Sequence, residues 1–417
     1  MHADLADTLA LDAEVALAAR KIRILAQLSW PKSEQDRFLN AFKRGVPYLP
    51  QIDYAPVDLD ASERELEHII QRADTSHALG DYVSKTAQSY FWATQMLRAR
   101  GTEQMTEHSI RIYGRPGDAI AGQELTNLDA ARHFIQVANE YALEFSLHEA
   151  EYCIPAEVVR DTLVQRLGEV FTSHHIDVDI DPDLVAKAAA GPTRIRIRAA
   201  TCFSEYDINQ LVEHEAFVHT LTSLNGRAQK ALPSLSLGSP RTTGTQEGLA
   251  VFAELITGSI DITRMKRISL RIQAIDLALK GADFIEVFQF FMDNGSSDTE
   301  SFNSAMRVYR GAPTHGGHAF TKDAVYLHGL ISVHTFFRWA LKNHKLKLCR
   351  ALFAGRLTLQ DVLNLEPHFD SGLLVAPMYL PPWMLKGNGL AGYLSFSVFA
   401  NKIRLDSVER AELTVAH

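Results

Sequence analysis

A chain of 417 residues with 46% hydrophobic and 22% charged residues has the balance of a folded globular protein, and it is long enough for a unit of more than one part. Its 42 Lys and Arg against 50 Asp and Glu give a net charge of -8, which excludes the global basic field of a nucleic-acid-binding protein. No stretch is apolar over a length that spans a bilayer, so neither nucleic acid nor membrane is an expected partner.

In chain order, apolar periodicity predicts helices over about 8–28, 61–73, 80–99 and 126–145. The first, in MHADLADTLALDAEVALAARKIR, carries acids through its apolar stretch and reads as a helix, not a signal peptide. After it, VPYLPQIDYAPVD reads as a packed, extended connection, because each proline fixes its own φ and biases its predecessor away from helix. A helix at 156–171 precedes HHIDVDID and TRIRIRAAT, whose alternation predicts two strands. His174 and His175 read as surface residues ahead of the first strand.

Ser204 and Asp207 form a capping-box-like start for a helix through INQLVEHEAFVHTLTSL, which Asn225 and Gly226 are expected to end. TQEGLAVFAELITG is a further helix, followed by 263–280, 283–293, 298–309 and 321–343. The fold class is therefore α+β with helix predominating. Its expected parts are an N-terminal helical subdomain at 1–150, a core at 151–345 and a C-terminal helical extension packed on that core at 346–417. Cys153, Cys202 and Cys349 are odd in number and form no CxxC pair, so they are expected as small reduced core residues of a soluble cytoplasmic protein.

The string HEAFVH, from His214 to His219, resembles a zinc-peptidase HExxH motif with one residue too many. Histidines four apart stand about 40° apart around an α-helix, but five apart they stand about 140° apart. Chelation of one ion then needs a π-bulge, a device common at functional sites. The alternative is a solvated helical face with two unremarkable histidines. Glu247, 28 residues beyond His219 near the start of the next helix, would complete the His, His, Glu set of a catalytic zinc site. Gly248 and Ala250 are small enough to let that helix approach the histidines. The competing reading of Glu247 is a helix-start carboxylate complementing the macrodipole.

The combination of VEHEAFVHTLTSLNG, TQEGLA, and RG followed by FTKDAVYLHG resembles the family named for its QEGLA motif. Its bacterial members are labelled flavohemoglobin expression-modulating proteins, and it includes the eukaryotic microtubule-associated tyrosine carboxypeptidases. The resemblance implies a zincin-like metallopeptidase core binding one zinc ion per chain through His214, His219 and Glu247, with Glu215 as catalyst. The spacing is similar to that of the dipeptidyl peptidase three family, where the active-site helix absorbs the extra residue. The expected activity is that of a carboxypeptidase acting on the C-terminal tail of a peptide or protein, by Glu-assisted attack of zinc-activated water. An aminopeptidase or dipeptidyl peptidase with the same metal set, and a non-catalytic zinc-binding regulatory protein, are the alternatives.

Other residues take supporting roles around that centre. Glu215 would take the proton from water and pass it to the leaving amine. Glu254 is a candidate hydrogen-bond acceptor for a ligand histidine. TRIRIR lies where such peptidases extend an edge strand along the substrate, with Arg194, Arg196 and Arg198 sharing a face that either captures carboxylates or is merely solvated. With the resemblance, Tyr326 becomes an oxyanion donor, and Arg310 and Lys322 become candidates for the terminal carboxylate. His315 and His318, in HGGH, read as part of a mobile loop.

Overall fold

The computed structural model describes residues 2–402 except 47, 121, 123, 145–152, 183, 185–186 and 200. The expected boundary at 150 and the end of the C-terminal extension lie outside the described residues. The architecture is predominantly helical with one small sheet.

The N-terminal helices are α1 (His2–Ala18), α2 (Ile24–Gln27), α3 (Lys32–Lys43), α4 (Asp60–Arg72), α5 (Ala78–Arg98), α6 (Gln104–Tyr113) and α7 (Asn127–Glu144). The single helix expected over 8–28 is thus broken: Ile22 and Arg23 leave helical space at φ -89, ψ 91 and φ -114, ψ 75. The Pro-rich connection, expected as an extended and packed segment, forms no helix or strand among its described residues and is anchored to the rest of the chain. The Tyr54 hydroxyl accepts from Trp30 and from the Gly311 N–H, and the Thr314 hydroxyl donates to the Pro50 carbonyl.

After α8 (Ala156–Val170) comes a three-stranded sheet of β1 (Asp177–Asp181), β2 (Ala188–Ala190) and β3 (Arg194–Arg198), in the order β1-β3-β2. β3 runs parallel to β1 and antiparallel to β2. TRIRIR is therefore the central strand, not the edge strand expected; the short alanine strand β2, too brief to show a period, takes the edge. Ile195 and Ile197 of β3 are fully buried, while Arg194 and Arg196 pair with Asp179 and Asp181, each at 3.0 Å, on the other face.

The helix expected to start at Ser204 forms one continuous rod: α9 (Glu205–Leu211), a π-helical segment Val212–Thr220, and α10 (Leu221–Ala228). Ser204 and Asp207 make the capping box. Asn225 and Gly226 do not end the helix. A side chain at Gly226 would come within 2.3 Å of the Leu235 carbonyl oxygen, so this glycine serves a close approach of chain segments. Asn225 is buried and ties down two loops by donating to the Phe353 and Tyr379 carbonyls.

Then come α11 (Thr243–Ile256), α12 (Ile262–Leu279), α13 (Phe284–Asp293), α14 (Asp298–Tyr309) and α15 (Val325–Lys342), with further helices from Leu346 to Ala400. Gly248 does not face the histidine-bearing rod as expected: it lies against Gly329 of α15, where an added Cβ would stand 2.2 Å from the Gly329 carbonyl carbon. One apolar core extends from Leu11 through the rod and α15 to Leu394, and a second, rich in phenylalanine, gathers α3, α12, α13 and α14.

The cysteine expectation holds for Cys349, which is fully buried and free. For the other two it is corrected: Cys153 and Cys202 are exposed and joined as a disulfide. Ile154 and Phe203 pair as an antiparallel bridge, and this brings the flanking cysteines to a Cα separation of 4.8 Å, within bonding range.

Candidate active site

His219 lies five positions after His214, and the backbone between them determines whether that matters. A π-helix has roughly 4.4 residues per turn, so the five-residue step leaves about 50° between the histidines instead of about 140°. The whole segment Val212–Thr220 is π-helical. The two rings consequently stand side by side, with centroids 4.8 Å apart and planes at 83°.

Glu247 arrives from the first turn and a half of α11. Its Oε2 lies 3.5 Å from His214 Nε2 and 3.6 Å from His219 Nε2, and the three ligand atoms fall within 4.8 Å of one another. Two ligands each about 2.1 Å from a tetrahedral ion stand about 3.4 Å apart, so these spacings fit a zinc-sized cation with a fourth position open. The hydrogen-bond pattern also fits. His214 Nδ1 is 2.7 Å from Glu254 Oε1, which leaves Nε2 for a cation. Glu254 is fully buried and is itself held by the Arg264 guanidinium in a two-point ion pair.

The electrostatics concentrate negative charge at that spot. Burial works against a charged His214, but hydrogen bonds to Glu247 and Glu254 outweigh it and push its pKa up to about 10. A divalent cation at Nε2 would compete with that proton for Glu247, while Glu254 keeps its bond to Nδ1. Burial also works against an ionised Glu247, yet Lys322, His214 and His219 hold its carboxyl well below the usual range. Lys322 Nζ donates to Glu247 Oε1 at 2.9 Å, so one carboxylate oxygen is engaged by lysine and the other faces the histidines.

These groups line a cavity of about 550 Å³. Glu215, one residue past His214, also faces it, and its Oε2 accepts from the Ala190 N–H at 3.1 Å. That bond fixes the orientation of β2: its free edge is turned toward the cavity, which Ala188, Ala189 and Ala190 all line. Tyr326 lies on the wall beside Lys322, whose Nζ is 5.2 Å from the centre of its ring. Burial, then Glu247, raises the Tyr326 phenol pKa, which keeps its proton available for donation.

Arg310 is on the wall, with its Nε buried and without a hydrogen-bond partner among the described residues; burial and the neighbouring Arg307 lower its pKa to about 10. Arg307 itself is committed to Asp323 through two bonds of 2.6 and 2.7 Å.

Of the sequence-predicted site residues, His214, Glu215, His219, Glu247, Arg310, Lys322 and Tyr326 are thus brought together. Arg194, Arg196 and Arg198 are not among the cavity-lining residues. Arg194 and Arg196 are engaged by the β1 aspartates, and Arg198 donates to the Thr201 hydroxyl. His315 and His318 sit together, ring centroids 5.3 Å apart, on a turn away from the cavity wall. Sequence reasoning missed Arg356, a second wall guanidinium with an unpartnered buried Nε, along with Arg264 and residues 22–26. Nothing in their local pattern separates them from ordinary core or surface positions.

No curated protein matches the chain. A family model described as microtubule-associated tyrosine carboxypeptidase matches residues 37–402, a span that contains the His214, Glu215, His219, Glu247 and Lys322 cluster. On that match, covering most of its length, the chain belongs to the microtubule-associated tyrosine carboxypeptidase family.

Proposed function

We propose that the protein is a zinc-dependent carboxypeptidase with a zincin-like centre, in which His214, His219 and Glu247 hold the metal. The observation that carries this reading is the convergence of their ligand atoms within 4.8 Å on the wall of a cavity that also holds Glu215 and two cations without acid partners among the described residues, Arg310 and Arg356. Bound zinc would polarise the scissile carbonyl and acidify the attacking water.

Each remaining step belongs to this chain's own side chains. Glu215 accepts the proton of water and delivers it to the leaving amine, and the Ala190 N–H holds its carboxylate in place meanwhile. The outward backbone groups of β2 other than the Ala190 N–H pair with the substrate backbone, the role expected of TRIRIR. Tyr326 donates to the oxyanion that forms. Arg310 or Arg356 receives the terminal carboxylate, because each has a buried Nε without an acceptor among the described residues, which is costly until an anion fills the place. Lys322 acts mainly as counter-ion to Glu247. Arg196 ties β3 to β1 through Asp181, and Arg198 holds the Thr201 hydroxyl just past β3.

A matched pair of N-blocked peptides, one with a free C-terminus and one amidated, tests the reading with the zinc-loaded protein. Cleavage of the free-ended peptide alone, abolished in Glu215→Gln at unchanged zinc content, is the expected outcome. Equal cleavage of the N-blocked, amidated peptide overturns the exopeptidase assignment, and cleavage only once the N-terminal block is removed points to the aminopeptidase or dipeptidyl peptidase alternative.

A further inference from the structure

Part of the cavity wall comes from a stretch that precedes the family match. Residues Ile22–Ala26, where the expected first helix breaks, line the cavity, while the matched region begins at residue 37. Whatever this segment contributes is added to the features of the matched region.

The turn is held rigidly from both sides. The Arg23 N–H donates to Gln27 Oε1 at 2.9 Å, Gln27 Nε2 donates to the Lys21 carbonyl at 3.1 Å, and Arg100 donates to the Gln27 carbonyl at 2.9 Å. Ile22 and Leu28 are buried as anchors, and Leu28 fills the space above Gly311, where an added Cβ would meet it at 2.7 Å. Upstream, the buried carboxylate of Asp12 accepts from both the N–H and the hydroxyl of Ser234, which ties α1 to the turn leading into the 238–243 wall.

Between these anchors the chain presents apolar side chains outward: Leu25 is 44% exposed, Ala26 is exposed and Ile24 is half-buried. On the wall, Arg307 and Lys322 are neutralised by Asp323 and Glu247, which leaves Arg310 and Arg356 as the guanidinium groups without ion-pair partners among the described residues. An anchored apolar rim at the same cavity as two such guanidinium groups is suited to a ligand that carries an anionic end and, a few residues away, an apolar group.

We propose that Ile24, Leu25 and Ala26 form a subsite for an apolar side chain of the peptide, on the stretch leading into the cavity whose carboxylate end the arginines receive. The subsite deepens the carboxypeptidase reading and rests on it. Because the rim is pinned before any peptide arrives, little ordering cost falls on binding, and the contact is expressed as selectivity.

The test uses two peptides sharing their last two residues and differing in leucine or serine at the third and fourth positions from the C-terminus. With the full-length, zinc-loaded protein, kcat/KM should favour the leucine peptide by roughly tenfold, the discrimination of a small apolar pocket. Leu25→Asp should bring that ratio close to one, and Leu25→Ala should give an intermediate value, both with zinc content and melting temperature unchanged. A ratio unaltered by Leu25→Asp, or no preference in the wild type, overturns the subsite. If neither peptide is cleaved, the carboxypeptidase reading fails by itself. Fluorescence anisotropy then still decides the subsite: tighter binding of the leucine peptide, lost in Leu25→Asp, supports it, and equal or absent binding overturns it.

Discussion

Replacing Gly248 by alanine probes the contact that sets Glu247 against the histidines. An added Cβ would lie 2.2, 2.3 and 2.6 Å from the carbonyl carbon, oxygen and Cα of Gly329, all backbone atoms that no rotamer change can move. Ordinary contact begins near 3.4 Å, so α11 and α15 must part by about 1.2 Å, the difference from 2.2 Å. Overpacking of this kind costs about 1–3 kcal/mol, and a backbone-to-backbone clash belongs at the upper end, about 3 kcal/mol. The same shift displaces Glu247 relative to His214, His219 and Lys322, and should weaken zinc binding by roughly 10–100-fold, the loss typical of disturbing the support of a metal site.

Equilibrium urea unfolding of the metal-free protein reads the first effect, and zinc competition with a chromophoric chelator reads the second. Gly244→Ala is the control on the same helix. Its Cβ would enter open space, so it should be neutral or stabilise by about 0.5 kcal/mol. Unfolding midpoints for Gly248→Ala and Gly244→Ala that agree within error would refute the close crossing and its link to the metal ligands.

Three other outcomes are expected. Arg264→Met leaves the buried Glu254 carboxylate without its ion-pair partner and should cost about 3–5 kcal/mol, with part of that recovered in the Arg264→Met, Glu254→Gln double variant; purely additive losses in urea unfolding would argue against the pairing. Reduction of the Cys153–Cys202 bond, which spans 49 residues, should lower stability by about 3–4 kcal/mol, seen as a fall in melting temperature with dithiothreitol that is absent in the Cys153→Ser, Cys202→Ser variant. Burial raises the Asp12 pKa from 3.8 to about 6, so its native form binds the proton more tightly than its unfolded form. The resulting stability is present below about pH 4 and lost as pH rises through about 6, and Asp12→Asn should flatten that decline; parallel pH profiles for the two proteins would contradict it.

Legibility in the sequence tracks the range of the interactions. His214, Glu215 and His219 lie within one helical segment, so their spacing alone poses the geometric question, and the π-helix is the local answer to it. The His214–Glu254 contact is within reach because Glu254 lies two turns along the same helix as Glu247. Arg264 and Arg356 are not, since their importance comes from neighbours brought in by tertiary packing and from what surrounds a guanidinium after burial. TRIRIR is legible as a strand but not in its place in the sheet, because alternation reports which residues face the core and says nothing about strand order. The disulfide escapes for a related reason: the bridge between Ile154 and Phe203 that brings the cysteines together joins segments far apart in the chain. The break at Ile22 goes with the anchoring of Gln27 and Leu28 onto the turns that follow α5 and α14, against a local sequence that favours continuing the helix.

The π-helical stretch at Val212–Thr220 also bears on how such sites can diversify. A helix that accommodates one surplus residue between two ligands behaves like a dislocation in a crystal: the lattice on either side is intact, and the mismatch is confined to a short core. Removing one residue from within Ala216–Val218 would anneal that defect into regular α-helix while both imidazoles still faced the same side. Lineages can therefore cross between four- and five-residue spacings in a single insertion or deletion without losing their ligands. A fixed-spacing pattern search would sort the two forms into unrelated groups even where their centres superpose.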